Sequence, residues 1–253
     1  MNNNFAIITD FGFDYSVASM KALLLSSFPD AKIIDIDHSI EKFSVLSGAF
    51  VINSVFKYFP KGTIFICVID PGVGSGREIV LLKTANYYFI GPNNGIFHHI
   101  IKFCKIEESY LIEEKKFAVI SNTFHGRDIM TPAAISLASG QHGLFTPFSP
   151  EGLRLIPQLE KNENIIIYID NFGNIKTNIS SLNLSFTQAQ QLQIKLNGTL
   201  LLAKFCDTFS QAKVGELICY KGSNATLEIA VNMGSARDKL RAQVGDKIEV
   251  NIK

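Results

Sequence analysis

The 253-residue sequence has no excess of charge of either sign, because 24 Lys and Arg residues stand against 23 Asp and Glu residues, for a formal net charge of +1. It also contains no block of basic residues. Proteins that bind nucleic acid usually carry a positive face or tail. We therefore expect no nucleic-acid partner.

Long hydrophobic runs and paired cysteines are also absent, and we expect no N-terminal signal segment. Each apolar run is shorter than the roughly 20 residues that a membrane-spanning helix needs, and the residues before Phe5 include neither a charged start nor an apolar region. The cysteines, Cys67, Cys104, Cys206 and Cys219, form no C-x-x-C pair and lie mostly within apolar stretches. They are typical of buried thiols in a reducing compartment. We expect a cytoplasmic protein with no membrane partner.

The composition, 47% hydrophobic and 19% charged, provides enough apolar material for a core. In the first half, apolar strand-like runs alternate with apolar residues at helical spacing. These elements are predicted at residues 5–9, 14–28, 32–37, 45–59, 63–69, 79–90, 95–103 and 126–139. Strands that are apolar throughout are typical of a sheet covered on both faces. The alternation predicts an α/β domain over residues 1–140, with a helix-covered, mainly parallel sheet.

The pattern changes after Gly140. Residues 141–164 contain three prolines and no sustained periodicity, which predicts a linker. Short strands separated by turn signals follow at residues 165–169, 192–196, 217–220, 226–231 and 247–252. They predict a smaller C-terminal domain over residues 165–253, an antiparallel β-barrel or sandwich. Two domains of unlike architecture favour a binding site at their junction or at a subunit contact.

Candidate functional residues follow the first and third predicted strands, where ligands bind in open α/β sheets. The carboxylate of Asp10 can accept both hydroxyls of a ribose, or it can cap the helix that follows. Asp70 and Arg77 bracket a loop with three glycines. Such a loop lets the backbone approach a ligand closely, or it is simply held by the Asp–Arg ion pair. The loop matches neither the dinucleotide-binding fingerprint nor a P-loop.

Two further places carry polar residues with open interpretations. His125 precedes the last helix of the first domain, where the helix dipole favours a neutral imidazole that can hydrogen-bond or deprotonate a water; the same turn can also be a helix entry in which Asp128 pairs with Arg127. Asp170 and Asn174 can hold an amino group and a planar base, or they can form an ordinary hairpin turn. The other histidines have no partner at metal-ligand spacing, so we expect no metal site.

Six short segments with polar or glycine residues follow one another along the chain. They are Thr9-Asp10-Phe11-Gly12, Asp70-Pro71-Gly72-Val73-Gly74, Pro92-Asn93-Asn94-Gly95, Phe124-His125-Gly126-Arg127-Asp128, Asp170-Asn171-Phe172-Gly173-Asn174 and Leu227-Glu228-Ile229-Ala230-Val231-Asn232. Together, and over essentially the whole chain, they resemble the S-adenosylmethionine (SAM) hydroxide adenosyltransferase family. These adenosine-forming SAM hydrolases are relatives of fluorinase and chlorinase. The resemblance implies an N-terminal α/β domain, a C-terminal β domain and a homotrimer with active sites between subunits.

The reaction that the resemblance implies is attack of water or hydroxide on C5′ of the ribose of SAM, which forms adenosine and releases methionine without a metal or cofactor. The family's Asp–Arg–His set falls on Asp70, Arg77 and His125. The halogenating relatives lack the full set, so its presence favours water over halide. We expect a network in which Arg77 orders the nucleophile, while Asp70 and His125 orient it or accept its proton.

The same resemblance implies substrate contacts at ten further positions, which are Asp10, Phe43, Phe124, Asp170, Phe172, Asn174, Phe209, Ser223, Asn224 and Met233. Asp10 would hold the ribose hydroxyls beside Phe43. Asp170 and Ser223 would meet the amino and carboxylate groups of methionine.

For the adenine base, the resemblance implies contacts from Asn174 and from the backbone near Met233. Phe172 and Phe209 would stack on the base or form a wall beside it.

Two positions depart from the relatives: Asn93 stands where the family commonly has Asp, and Asn224 stands where the halogenases have Arg. Both changes bear on how tightly methionine is held, and neither bears on the reaction type. The alternative functions are a non-catalytic SAM or adenosine sensor, a SAM-dependent halogenase, and a metal phosphoesterase. The phosphoesterase would use Asp10, Asp35, Asp37, His38 and His125.

Overall fold

A computed structural model of the chain describes residues 3–118, 121–161, 163–182 and 184–253. The chain divides into two units, Met1–Ile156 and Pro157–Lys253. Each unit is built on one seven-stranded sheet, and helices accompany both sheets, so the protein is a mixed α/β structure.

The first unit alternates strands and helices within its described residues. Its elements are β1 (Asn4–Thr9), α1 (Tyr15–Ser27), β2 (Lys32–Asp37), α2 (Val45–Val55), β3 (Ile64–Val68), β4 (Ile79–Thr84), β5 (Tyr88–Pro92), α3 (His98–Phe103), β6 (Ile106–Ile112), α4 (Thr131–Ala138) and β7 (Phe145–Pro147). The strand order is β2-β1-β3-β5-β4-β6-β7. The pairings among β2, β1, β3 and β5 are parallel, and those that join β5, β4, β6 and β7 are antiparallel.

This first sheet is mixed, where a mainly parallel sheet was expected. The difference arises at residues 79–90, which form β4 and the start of β5 instead of one strand-like stretch. Only residues 85–87 join the two strands. So short a connection can join only antiparallel neighbours, because parallel strands need a crossover of a dozen or more residues.

Both faces of the first sheet pack against apolar side chains, as β1 shows. Phe5 and Ile7 point to the face where Met20 of α1 is buried. Ala6 points to the opposite face, where Ile52 of α2 is buried. Successive residues of a strand point to opposite faces, so a strand with a core on each side is apolar throughout. The strand ends therefore remain as the places where polar side chains collect.

The second unit is mostly antiparallel. Its elements are α5 (Pro157–Glu160), β8 (Ile166–Ile169), β9 (Ile175–Ser180), β10 (Gln191–Leu196), β11 (Thr199–Phe205), β12 (Leu217–Lys221), β13 (Thr226–Val231), α6 (Ala236–Leu240) and β14 (Ile248–Ile252). The strand order is β14-β10-β11-β12-β13-β9-β8, and only the short β11–β12 pairing is parallel among the strand pairings of the described residues. An isolated bridge between Ile165 and Lys247 connects the segments next to β8 and β14.

The segment predicted as a linker, residues 141–164, contains the boundary between the two units. It also contributes β7 to the first sheet, a short 3-10 turn at Pro150–Gly152 and the single turn of α5. Among the residues that the structure describes, no helix is long and apolar enough to span a bilayer.

Candidate active site

Three side chains predicted to act together, those of Asp70, Arg77 and His125, form one hydrogen-bonded cluster in the first unit. Arg77 donates to the Asp70 Oδ2 atom from Nε at 2.8 Å and from Nη2 at 2.6 Å. Its Nη2 also donates to Nδ1 of His125 at 2.8 Å. All three side chains are nearly buried. Charge-assisted bonds of this length fix the guanidinium plane relative to both partners.

The loop after β3 folds back on itself and thereby joins Asp70 to Arg77. The Asp70 carboxylate accepts the N–H of Gly72 at 3.2 Å, and the Asp70 carbonyl accepts the N–H of Val73 at the same distance. Gly74 has a φ of +75°, and a Cβ there would come within 2.8 Å of the Asn122 carbonyl oxygen. Glycine adopts this backbone at no steric cost. The loop therefore needs a glycine at this position to bring the cluster together.

The hydrogen bond from Arg77 determines the tautomer of His125. An arginine N–H can only donate, so Nδ1 must accept and the ring proton lies on Nε2. Burial lowers the pKa of His125 from its usual value of 6.5, and the neighbouring Arg77 charge lowers it further. The imidazole is therefore neutral at neutral pH, and its second nitrogen is a donor. Asp70, unlike His125, can still accept a further hydrogen bond, because its Oδ1 atom accepts only the Gly72 N–H.

Asp10, Phe43 and Phe124 line one cavity of about 210 Å³ together with Asp70 and His125. Its remaining lining residues are Phe11, Lys42, Val68, Val73, Thr123 and Gly126. The structure thus brings together all the predicted residues of the first unit, with Arg77 directly behind Asp70 and His125.

The Asp10 carboxylate faces this cavity and does not cap a helix. Asp14 caps α1, accepting the Ser16 N–H at 2.7 Å. Asp10 Oδ2 accepts the backbone N–H of Phe43 at 2.8 Å, and burial raises the pKa of Asp10. Phe43 has a φ of +67°, a left-handed conformation that is uncommon for a bulky side chain and is found most often where function requires it. This backbone directs the Phe43 N–H onto Asp10.

The turn that carries Asp10 is held by the buried side chains of Thr9 and His38, which connect to the more exposed Asp35 and Lys21. Thr9 Oγ1 lies 2.9 Å from Nδ1 of His38, and the His38 carbonyl accepts the Gly12 N–H at 2.7 Å. Asp35 lies 3.1 Å from the other ring nitrogen of His38 and accepts a hydrogen bond from Lys21 at 2.8 Å.

Within the described part of the chain, no three His, Cys, Asp or Glu residues are grouped so as to hold a metal ion.

Phe124 is fixed between two neighbours. Its ring meets Phe11 edge-on at 5.8 Å, and the Arg127 guanidinium lies 4.6 Å from its centroid. Arg127 also donates to Asp128 at 2.6 Å. Asp128 therefore pairs with Arg127 at the helix entry, as one interpretation of this turn expected. The same turn also places His125 in the cluster with Asp70 and Arg77.

Five predicted residues of the second unit, Asp170, Phe172, Asn174, Phe209 and Met233, line a cavity of about 770 Å³. Tyr220, Val231, Asn232, Gly234 and Ser235 complete its lining. Asp170 accepts the backbone N–H of Asn174 at 2.9 Å and its side-chain amide at 3.0 Å. The Asn174 side chain is therefore held in one orientation.

Ser223 and Asn224 lie elsewhere, on the turn between β12 and β13, and neither is among the lining residues of this cavity. Asn93 is buried and bonds within the fold: its amide donates to the Gly152 carbonyl at 3.0 Å, and its Oδ1 accepts the Arg154 N–H at 2.8 Å. A carboxylate could not donate to Gly152, so the amide is the better fit in this chain.

Lys42, Tyr220 and Glu114 are among the site residues that were not predicted from the sequence. Lys42 lines the first cavity and Tyr220 lines the second. The Tyr220 hydroxyl donates at 2.7 Å to the buried carboxylate of Glu228. Glu114 accepts from Arg77 Nη1 at 2.9 Å. Glu114 belongs to a Glu-Glu-Lys-Lys run, which by itself is typical of a solvated surface.

Both units match known family models. Residues 5–144 match the model described as the SAM hydroxide adenosyltransferase N-terminal domain, and residues 164–249 match the C-terminal domain of the same name. The two matches cover the predicted site residues of both units.

Two named relatives and one solved structure are similar to this chain over nearly its full length. A Methanocaldococcus jannaschii protein named (R)-S-adenosyl-L-methionine hydrolase is 34% identical over 257 residues, covering 96% of this chain and 94% of the relative. A Nocardia brasiliensis protein named fluorinase is 28% identical, with 98% and 96% covered. A crystal structure of an uncharacterized conserved protein from Thermotoga maritima superposes with a TM-score of 0.88 at 31% identity, covering 98% of this chain and all of that one.

Proposed function

The chain belongs to the SAM hydroxide adenosyltransferase family, and from this premise we propose that it is an enzyme that hydrolyses S-adenosyl-L-methionine to adenosine and L-methionine. A water oxygen bonds to C5′ of the ribose while the bond from C5′ to sulfur breaks. The electron pair of that bond stays on sulfur, which becomes the thioether of methionine, and one proton is released. The observation that carries the proposal is the Asp70–Arg77–His125 cluster beside the cavity that Asp10 faces.

The substrate itself makes the reaction accessible to side chains alone. A sulfonium is a good leaving group, so the protein has to place a water in line with the breaking bond and keep other water out. We propose that no cofactor takes part and that SAM is the substrate.

We infer the roles of the three residues from their hydrogen bonds. Asp70 accepts a proton from the attacking water, because its Oδ1 retains an open lone pair. His125 donates from Nε2 and orients the water, because Arg77 occupies its Nδ1. Arg77 holds both partners through its hydrogen bonds to them.

For the substrate, we propose that Asp10 binds the ribose hydroxyls, with Phe43 and Phe124 as walls. In the second unit, Asp170 meets the methionine amino group and Asn174 reads the adenine. The backbone near Met233 also contacts adenine, and Phe172 and Phe209 flank the base. Ser223 and Asn224 remain candidates for the methionine carboxylate.

The contacts for ribose and those for methionine and adenine lie on different units. The first cavity, at about 210 Å³, is smaller than the roughly 300–1,000 Å³ of small-molecule sites. We propose that a homotrimer completes the site, with the first unit of one subunit meeting the second unit of another. Each subunit then contributes to two sites.

Three further expectations remain proposals: a barrel-like second sheet, a helix-covered first sheet and a cytoplasmic location. The bridge between Ile165 and Lys247 supports a barrel-like second sheet, and the core on each face supports a helix-covered first sheet. Three of the four free cysteines are buried, which fits a protein that works in the reducing cytoplasm.

Incubation of the purified protein with SAM tests the proposed function. We expect adenosine and methionine in equal amounts, measured by chromatography. SAM binding without turnover would identify a sensor instead. The similarity to fluorinase makes the halogenase the second candidate, and a halogenated nucleoside formed in chloride or fluoride would identify it. Activity that a strong chelator leaves unchanged would dismiss the metal phosphoesterase.

A further inference from the structure

Glu114 is a second carboxylate on the Arg77 guanidinium, on the side away from Asp70. It begins the short 3-10 turn Glu114–Lys116, two residues after β6 ends. Its Oε1 accepts Arg77 Nη1 at 2.9 Å, and its Oε2 lies 4.0 Å from Nδ1 of His125. The Glu114 side chain is one-third exposed, whereas that of Arg77 is nearly buried.

The donors of Arg77 are almost fully used. A guanidinium carries five N–H groups, and the hydrogen bonds to Asp70, His125 and Glu114 occupy four of them. Without Glu114, Nη1 would lose its carboxylate partner. A nearly buried charged donor without a partner is costly, so the guanidinium would shift toward another acceptor and carry Asp70 and His125 with it.

We propose that Glu114 is a positioning residue for the proposed hydrolysis: its carboxylate fixes the Arg77 guanidinium and thereby the placement of Asp70 and His125. Glu114 is not among the residues that line the cavity, so it acts through Arg77. The inference rests on the proposed function for its effect on rate, but its effect on His125 is measurable without substrate.

The charge of Glu114 affects the pKa of His125, which gives the proposal a measurable consequence. The charged groups that face the ring are Arg77, Glu114, Asp70 and Asp128, and Asp10 and Lys42 line the same cavity. Burial and Arg77 lower the pKa of His125, whereas the three carboxylates facing it raise that pKa. Removing the charge of Glu114 therefore lowers the pKa of His125.

The test compares two changes at Glu114. Glu114→Gln keeps an oxygen for Arg77 and removes the charge, so the NMR titration of the His125 ring should move to lower pH by roughly 0.5 unit, as for a partly exposed ion pair. The acid limb of the rate profile should move equally. Glu114→Ala also removes the hydrogen bond, and kcat should fall about 10-fold with KM within about twofold. Glu114→Asp should restore the titration of His125.

The matched control is Glu113→Gln, because Glu113 pairs with Lys116 instead of the cluster. His125→Asn identifies the ring signal. An unchanged His125 titration in Glu114→Gln, or an equal shift in Glu113→Gln, would overturn the proposal. Absence of adenosine from the unmodified protein would refute the hydrolase function, while the substrate-free titration would still decide the role of Glu114.

Discussion

The Arg77 guanidinium determines which neighbouring atoms carry protons in the proposed active site. Because it donates to Nδ1 of His125, the neutral imidazole carries its proton on Nε2, and for this reason we propose Asp70 as the proton acceptor. Residue chemistry alone left Asp70 and His125 equivalent in this respect. Only the observed hydrogen bonds separate their roles.

The pH dependence follows from the lowered pKa of His125. Protonation at Nδ1 would set an N–H against an Arg77 N–H, so we expect activity to fall on the acid side with a midpoint below 6.5, the usual histidine value. The folded state binds fewer protons than the unfolded state in this window, so the free energy of unfolding decreases as pH falls through 6.5 toward the folded pKa.

Urea unfolding at about pH 7.5 and about pH 5 measures this change in stability. The unmodified protein should lose more stability than His125→Asn over that interval. Equal losses in both proteins would show that His125 keeps an ordinary pKa in the fold.

At the scale of elements, local sequence predicted the strands and helices that have a clear period. β1, β2, β3, α1 and α2 lie where apolar runs and helical spacing indicated. β6 and β9 were missed, because Ile-Glu-Glu-Ser-Tyr-Leu-Ile and Ile-Lys-Thr-Asn-Ile-Ser mix polar residues into the strand. β6 pairs with β4, and β9 pairs with β13 and with its chain neighbour β8. Pairing with the distant β4 and β13 leaves no local signal, whereas the turn between β8 and β9 is the hairpin that the sequence left open at Asp170 and Asn174.

β11 was also missed, although its turn was recognised. Asn197 and Gly198 both have positive φ, at 48° and 77°, as a two-residue hairpin turn requires. That turn alone indicates a second strand paired with β10. Local turn chemistry therefore held more information than the strand pattern did.

The loop between β3 and β4 offers a matched pair of substitutions. In Gly74→Ala the new Cβ would meet the Asn122 carbonyl oxygen in a left-handed backbone, so we expect a loss of about 1–3 kcal/mol in the free energy of unfolding and a fall in kcat. At Gly76 the added Cβ has open space and no positive φ. Gly76→Ala should therefore leave stability and kcat nearly unchanged. Denaturation and kcat measurements on both variants decide this, and equal effects would contradict the special role of Gly74.

For the whole molecule, the change of pattern after Gly140 predicted two unequal domains, and the structure has two units. The mixed first sheet was not predicted, because its antiparallel half depends on the connection between β4 and β5. Among site residues, the long separation between Arg77 and His125 meant that only the family resemblance could group them. The homotrimer remains a prediction.

Mixing two inactive variants tests the shared site. We expect Asp70→Ala and Asp170→Ala each to be inactive, since they alter different units. Co-expression of the two variants in equal amounts should recover roughly a quarter of the unmodified rate, because about three-quarters of the trimers are mixed and each mixed trimer has one interface in three that joins two intact units. No recovery in proven mixed trimers would place the complete site within one subunit.

Hydrolysis in ¹⁸O-labelled water shows whether a water oxygen bonds to C5′ of SAM. Mass spectrometry of the products should show adenosine with one ¹⁸O at its 5′ oxygen, together with an equal amount of unlabelled methionine. Unlabelled adenosine, or no adenosine above a protein-free blank, would show that the protein does not direct water to C5′ of SAM.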